Sequence, residues 1–429
     1  MIKGLNTIKK GAFYVFVLTL FMGYGTYAQN NETKQNLEQK TEFKGVVRNA
    51  ENKRPLAYVD IHVKETNIGT ITNAEGEFLL KVPSVHLNKT IVISILGYKK
   101  KELMLSEFKD GVTKIDLEES IIELSDVNIF SPKDVMSIVR ATLSNKEKHN
   151  FDNQTILTAF YRETIKKRRK NASLSEAVVQ IHKQPKRSLR RDAIELIKAR
   201  KNTNYSRLDT IALKLQGGPF SNLHTDIIKY PEYIFSDEDL EYYDFKLDQS
   251  TQINKNLVYV ISFKQKENVV TPLYFGKLFI DAETLALTSA IFSLNVENKE
   301  LTSKMYVRKK PRKVNVYPLE ATYKVNYRTQ NGKWHYAYSN ILLSFKVNWK
   351  GKLFNNVYTL NSEMAITDWK LNTSEIVKTK NNMLRPTTIL IDETSGFGDP
   401  EFWGEYNIIE PEKSIESAIR KIQRQLKRT

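Results

Sequence analysis

The sequence predicts a mainly β protein, a β-sandwich plus an α+β region: a small antiparallel sandwich, then a large curved antiparallel sheet packed with a few helices. Three observations carry that expectation. Short polar and apolar alternations fill Phe43 to Leu117, longer strand-like runs follow one another from Leu257 to Trp369, and helical spacing is confined to short stretches. The chain of 429 residues is long enough for more than one core. Its 41% hydrophobic and 10% aromatic content can fill such cores, so a charged fraction of 27% describes a globular surface rather than disorder.

The first residues place Lys3, Lys9 and Lys10 ahead of the apolar run from Ala12 to Met22, and Thr26-Tyr27-Ala28 offers a small-x-small cleavage site. Residues 1–28 are therefore expected to be a secretory signal peptide. A retained anchor is the competing reading, but the run is shorter than the ~20 residues that span a bilayer and is broken by Gly23 and Gly25. No later segment is long and apolar enough to cross as a helix, so no transmembrane helix is expected after signal removal. Residues 29–42 are polar and unpatterned, a flexible leader. With no Cys, the chain has no disulfide framework, no thiolate metal site and no lipid-bearing Cys at the cleavage site.

The formal net charge is +17. In an exported protein such a balance favours acidic lipids, lipopolysaccharide phosphates or acidic glycans over nucleic acid. The densest basic groups are Lys166–Lys170, Lys186–Arg191 and Arg308–Lys313, for which a merely solvated surface is the plain alternative.

Between Phe43 and Leu117, YVDIHVKE puts Val59, Ile61 and Val63 on one strand face and Asp60, His62 and Lys64 on the other. EFLLKVP and TIVISILGY add two strands, with turn signals at Asn52–Pro55, Asn73–Gly76 and Pro83-Ser84. Gly76, between a polar turn and a strand, suits a positive φ. The ordered glycines and aromatics with one turn asparagine, namely Gly45, Gly69, Asn73, Gly76, Phe78, Gly97 and Tyr98, form a structural turn signature. With Arg54–Val59 they resemble the carboxypeptidase-regulatory-like domain, a β-sandwich common in bacterial envelope proteins. That resemblance implies residues 43–118 as a non-catalytic sandwich. The family commonly has Asp where this chain has Asn73, which removes the charge that a cation site there would use.

Residues 119–130 are expected to be a linker and 131–429 a second unit. Ser131 and Pro132 read as the cap and first position of a helix carrying Val135, Ile138, Val139 and Leu143 on one face. ILTAFYRETIKKRRK and EAVVQIHKQ follow, then a predicted helix over Asp192–Lys201, and a turn at Gly217-Gly218 that lacks the Lys-Ser/Thr of a phosphate loop. Asn331-Gly332 signals a hairpin, as does the turn Asp281–Thr284, and helical spacing returns at Ile415, Ala418, Ile419, Ile422 and Leu426. AFYRE at 159–163, LKLQGGP at 213–219 and FWGEYNIIEP at 402–411 resemble envelope proteins of Bacteroidota-type bacteria that join a regulatory-like domain to a long β-rich region. The unit GKLFIDAETLAL at 276–287 is similar to hairpins of periplasmic lipoprotein-carrier proteins, a likeness that implies a curved sheet wrapping helices.

No catalytic constellation is expected. His62-Val63-Lys64-Glu65 with His182 imitates a zinc hydrolase set, but strand alternation sends His62 and Glu65 to opposite faces. There is no G-x-S-x-G and no H-E-x-x-H. The acids Asp237, Glu238, Asp239, Glu241 and Asp244 read as an acidic loop, with a cation site or a glycosidase pair as alternatives. Tyr242, Tyr243, Tyr336 and Tyr338 stand at strand positions, where packing competes with sugar or acyl contact.

The sequence thus leads to a non-catalytic binding or assembly protein of the periplasm or outer membrane, with no cofactor and no metal. Its sandwich would dock a cell-envelope partner, and its larger domain would hold a lipid, glycan or protein segment, with peripheral membrane contact. A zinc-dependent or carboxylate-based hydrolase and a purely structural scaffold are the alternatives; nothing in the sequence sets an oligomeric state.

Overall fold

The computed structural model describes residues 40–413 and 415, apart from 109–110, 121–134, 169, 187, 189, 204–215, 236–237, 249–250, 254–255, 309, 352–354, 373–381, 393–394, 397–401 and short side-chain gaps. The signal peptide, most of the leader, most of the linker, Ser131 and Pro132, and the C-terminal helix apart from Ile415 lie outside the described residues.

The small unit is a two-sheet sandwich. β1 (Lys40–Asn49) lies between β4 (Glu77–Pro83), antiparallel, and β7 (Val112–Leu117), parallel. The second sheet runs β3 (Gly69–Ile71), β2 (Asp60–Val63), β5 (Thr90–Ser94) and β6 (Lys101–Met104). Period-2 alternation turns Val47, Phe78, Leu80 and Ile115 of one sheet onto Ile61, Val63, Ile91 and Ile93 of the other, all fully or nearly fully buried. The chain pairs from Lys40, three residues ahead of the Phe43 at which alternation becomes visible.

The large sheet has twelve strands. Its order is β11 (Tyr243–Leu247), β13 (Asn256–Gln265), β14 (Tyr274–Asp281), β15 (Leu287–Leu294), β16 (Val314–Gln330), β17 (Lys333–Trp349), β18 (Asn356–Leu371), β8 (Thr155–Lys167), β9 (Lys170–Lys183) and β10 (Ala193–Thr203). β12 (Thr251–Ile253) pairs with β13, and the two-residue β19 (Ser395–Gly396) runs parallel to β10. The hairpin between β16 and β17 turns through Asn331 and Gly332, both at positive φ, as its sequence predicts. Asp281 caps its own turn by accepting from the backbone N–H of Thr284 at 2.8 Å.

The segment Asp192–Lys201 is not helical; from Ala193 onward it is part of β10. A bulge between Leu196 and Lys198 shifts the register, so Leu196 and Ala199, three positions apart, share the face of Ile194, while Ile197 lies on the other. That break in alternation mimics helical spacing in the sequence.

One face of the sheet is filled by the chain itself. α1 (Val135–Ser144) contributes Ile138, Val139 and Leu143, and residues 216–243 contribute Phe220, Leu223, Ile227, Ile228, Phe235 and Leu240, all buried against Ala177, Ile261, Leu278 and Val325. Gly217 and Gly218 turn this segment into the short helix α3 (Pro219–Leu223), which follows α2 (Lys146–His149) in the chain. Burying each such side chain stabilises by roughly 1.5–3 kcal/mol. Beside the plug, the space lined by Lys183, Asp226, His335 and Trp369 is about 30 Å³, room for a few waters.

The opposite face is covered only in part. Ile71 and Tyr58 of the sandwich, with Trp403, Ile408 and Ile409 of the C-terminal segment, pack on Phe160, Val178, Tyr338 and Ala365. Asn407 stitches that segment to the free edge of β4: its Oδ1 accepts from Lys81 N at 2.6 Å and its Nδ2 donates to Lys81 O at 3.1 Å. The pair of bonds imitates a neighbouring strand and blunts the edge.

Candidate functional site

The turn-signature residues occupy architectural places. Asn73 Oδ1 accepts from the N–H groups of Glu75 and Glu77, both at 2.9 Å, so the amide closes the turn without a charge. Gly76 has φ +73°, and a Cβ there would stand 2.5 Å from the carbonyl oxygen of Val47. Gly45 lies against the ring of buried Phe78, Gly97 is in a turn, and Tyr98 OH accepts from Asn49 Nδ2 at 3.2 Å. Gly69 differs from the rest. It sits on β3, and a Cβ would come within 2.7 Å of the Arg328 guanidinium from the large sheet.

Arg328 is the residue that sequence reasoning missed. Its Nη1 donates to Asp60 Oδ1 at 3.2 Å, and the other carboxylate oxygen of Asp60 meets His62 Nδ1 at 2.6 Å. Burial alone would raise the Asp60 carboxyl, but Arg328 and His62 outweigh it and hold it below the ordinary carboxylate range. His62 is therefore not a solvent-facing strand residue, as its alternation suggests; it is half-buried in the joint between sandwich and sheet. Lys324 belongs to the same joint, 5.0 Å from the centre of the Tyr58 ring, with burial pushing its amine down to about 8.

The residues that imitated a zinc site do not converge. Glu65 is an exposed turn residue at positive φ, and His182 Nε2 faces Glu195 at 3.4 Å. Among the described residues no three His, Asp or Glu side chains are grouped to hold a metal. In the acidic loop Asp237 lies outside the described residues, Glu241 pairs with Arg140, and Asp244 points to solvent. Tyr243, Tyr336 and Tyr338 are buried packing residues, whereas Tyr242 is exposed.

The strand registers align one row of side chains across ten strands, on the face that carries the sandwich. In order from β11 to β10 the row reads Lys246, Ser262, Lys277, Ile291, Lys324, Asn340, Glu363, Arg162, Glu176 and Arg200. Its far end is buried and ionic. Arg162 donates to Glu176 (2.7 Å), Glu363 (3.2 Å) and the carbonyl of Ile409 (2.7 Å), while Arg200 donates to the second oxygen of Glu176 at 2.8 Å. Burial would raise Glu176, yet Arg162 and Arg200 hold it low; Glu363, with one arginine, is raised by burial.

The near end of the row is open. There Leu96 and Gly97 of the sandwich face Lys246, Leu247, Asp248, Val260, Lys277 and Phe279 across a groove of about 710 Å³. It shares Lys246 and Lys277 with a wider hollow of about 1300 Å³ that includes Lys264, Val270, Phe275 and Glu320. Lys277 bridges Asp248 at 3.0 Å, and this hydrogen bond lowers the carboxyl. Val270, Phe275, Ile291 and Leu319 are exposed by 39–77%, an apolar strip set among alternating charges. No histidine lines either hollow. The arrangement offers apolar contact and paired charges to an extended segment, without a nucleophile beside a general base.

Residues 43–129 match the model of the CarboxypepD_reg-like domain. No curated protein matches the sequence. Among solved structures, a DUF1329 family protein from Desulfovibrio piger is 8% identical, with 57% of this chain and 96% of that chain covered, at a TM-score of 0.25. Lipovitellin, from a structure concerned with lipid–protein interactions, gives 7% identity, 55% and 27% coverage and a TM-score of 0.28. MucB in complex with MucA(peri) gives 10% identity, 56% and 100% coverage and a TM-score of 0.18. At these scores the likenesses carry no argument about function.

Proposed function

We propose that this is an exported, non-catalytic docking protein of the cell envelope, in which the CarboxypepD_reg-like sandwich and the open part of the large sheet together hold an amphipathic segment of a partner protein. The observation that supports it best is the division of the sheet. One face is packed by described residues of α1 and of the stretch 216–243, beside which the space lined by Lys183 and Asp226 is about 30 Å³, while the other keeps an apolar strip open between Leu96 and Phe275. A regulatory-like sandwich at 43–118, a linker at 119–130 and a sheet domain at 131–429 remain our division of the chain, preceded by a signal peptide at 1–28 and a leader at 29–42 whose last three residues already pair in β1. The turn signature serves the sandwich as architecture, with Gly69 added to the joint.

The test is a photo-crosslinking amino acid placed at Phe275 or Ile291 in the full chain in its own envelope, with exposed Val85 of the sandwich as the control position. A discrete protein adduct at the first two positions and none at Val85 is expected, together with native mass spectra free of a stoichiometric lipid. A bound acyl lipid would replace this reading with a carrier, and the absence of any adduct would leave a scaffold. Turnover of a peptide or glycan that depends on His62 or Glu241 would overturn it in favour of a hydrolase.

A further inference from the structure

The fold gathers basic runs that are far apart in the chain. β8 ends in Lys166 and Lys167 and turns through Arg168 into Lys170 of β9. β17 carries Lys346 and ends at Trp349 beside Lys350, and its partner β16 begins at Val314, straight after Arg312 and Lys313. The pairings Lys167 with Lys170, Lys167 with Tyr358, Tyr358 with Phe345, and Trp349 with Val314 place these ends side by side across five adjacent strands. At about 4.8 Å per strand the basic end is about 20 Å wide.

Five of its cations lack an ion pair among the described residues. The stretches 165–170, 307–317 and 344–351 contain no Asp or Glu. Arg168, Lys170, Arg312, Lys313 and Lys350 are exposed, and none of them forms an ion pair among the described residues. The helix α4 (Lys299–Tyr306) stands at the same end, with the ring of Tyr306 against Phe345 and Lys299 over Tyr317, and it presents Met305, 51% exposed. Trp349 adds a half-buried indole. Cations at one end of the sheet, with an exposed thioether and a half-buried indole at the same end, match the chemistry of a lipid interface: phosphate headgroups outside, acyl boundary just beneath. A soluble polyanion would use the cations and leave the exposed Met305 in water.

We infer that this end of the sheet is a membrane-contact surface that seats the protein on anionic phospholipid headgroups. The inference rests on the proposed envelope location and is independent of what the groove holds.

Full-chain protein purified from an envelope fraction is mixed with vesicles of phosphatidylcholine, with or without phosphatidylglycerol, and binding is read by flotation. Binding to the anionic vesicles only, falling as salt rises, is expected. The variant R168E/R312E/K350E should bind at least about 100-fold more weakly, since each surface cation contributes roughly fivefold. The control K114E/K148E/K370E reverses the same number of exposed charges elsewhere and should retain most of the binding. Equal losses in both variants would assign the effect to net charge and overturn the inference. So would a lack of vesicle binding at low salt, or tight binding of inorganic polyphosphate without vesicle binding. Thermal melts of both variants separate these outcomes from misfolding. Crosslinking at Phe275 that persists in R168E/R312E/K350E would show that loss of this surface leaves the groove reading standing.

Discussion

Replacing Glu163 by Gln tests the buried polar side of the large sheet most sharply. Glu163 is 2% exposed on β8 and has the Tyr161 hydroxyl as a donor at 3.0 Å. Its cross-strand neighbours are Ser175 and Ser362, and the Ser175 hydroxyl has no hydrogen-bond partner among the described residues. Burial pushes the carboxyl up to about 7, and the Tyr161 hydrogen bond recovers only part of the shift. The folded state therefore holds a proton that the unfolded chain releases near its ordinary value of 4.5. The sign follows from that. Stability falls as pH rises from about 4.5 to about 7 and is flat above, and the total loss is roughly 3 kcal/mol at 1.36 kcal/mol for each pH unit of displacement. Glutamine keeps the shape without the charge, so E163Q should match the parent near pH 4 and exceed it at pH 8 by up to roughly 3 kcal/mol. Urea unfolding of both proteins across that range gives the difference directly, and taking the difference cancels the opposite slopes of carboxyls held low, such as Glu176 and Asp226. A gap that is constant with pH, or an E163Q protein weaker than the parent at pH 8, would refute the reasoning.

Arg162→Met leaves buried Glu176 with Arg200 alone and buried Glu363 with no arginine, and should cost about 3–5 kcal/mol in urea unfolding. It should also loosen the strap that Arg162 holds through Ile409, which limited proteolysis near Trp403 would report; an unchanged digest would contradict the clamp. Gly76→Ala forces a Cβ toward the Val47 carbonyl at positive φ, so the sandwich should lose about 1–3 kcal/mol, read as an early step in thermal unfolding. Asn73→Asp restores the acid common in the regulatory-like family, beside Glu77. It should change stability by less than about 1 kcal/mol, and a calcium-dependent rise in melting temperature would show that the turn had become a cation site after all.

The sandwich was legible because its signals are local. A turn amide, a glycine that cannot carry a Cβ and strands of three to ten residues with clean alternation all act within a few positions of one another. The hairpin at Asn331-Gly332 was legible for the same reason. β10 was not, because one bulge at Leu196 broke the alternation on which strand recognition rests. The filling of the sheet by residues 216–243 was hidden too. Phe220, Leu223, Ile227 and Phe235 are apolar in an irregular segment, and nothing in their spacing says which surface they cover.

The binding surfaces were harder still, because they exist only as cross-strand neighbours. Arg162, Glu176, Arg200 and Glu363 are scattered through two hundred residues, and each, read along its own strand, is an ordinary polar position. Register turns them into a single row whose character changes along its length: buried ion pairs under the strap, a lysine capped by Tyr58 at the joint, then open lysines beside Phe275 and Ile291. The same sheet gathers Lys166, Lys167, Arg168 and Lys170 with Arg312, Lys313, Lys346 and Lys350 at one end, although the chain separates Lys170 from Arg312 by about 140 residues. A large antiparallel sheet can therefore present distinct surfaces from residues that carry no motif. The sequence signal for such a site is a set of acid-free basic stretches at strand ends, and it becomes specific only once pairing order is known.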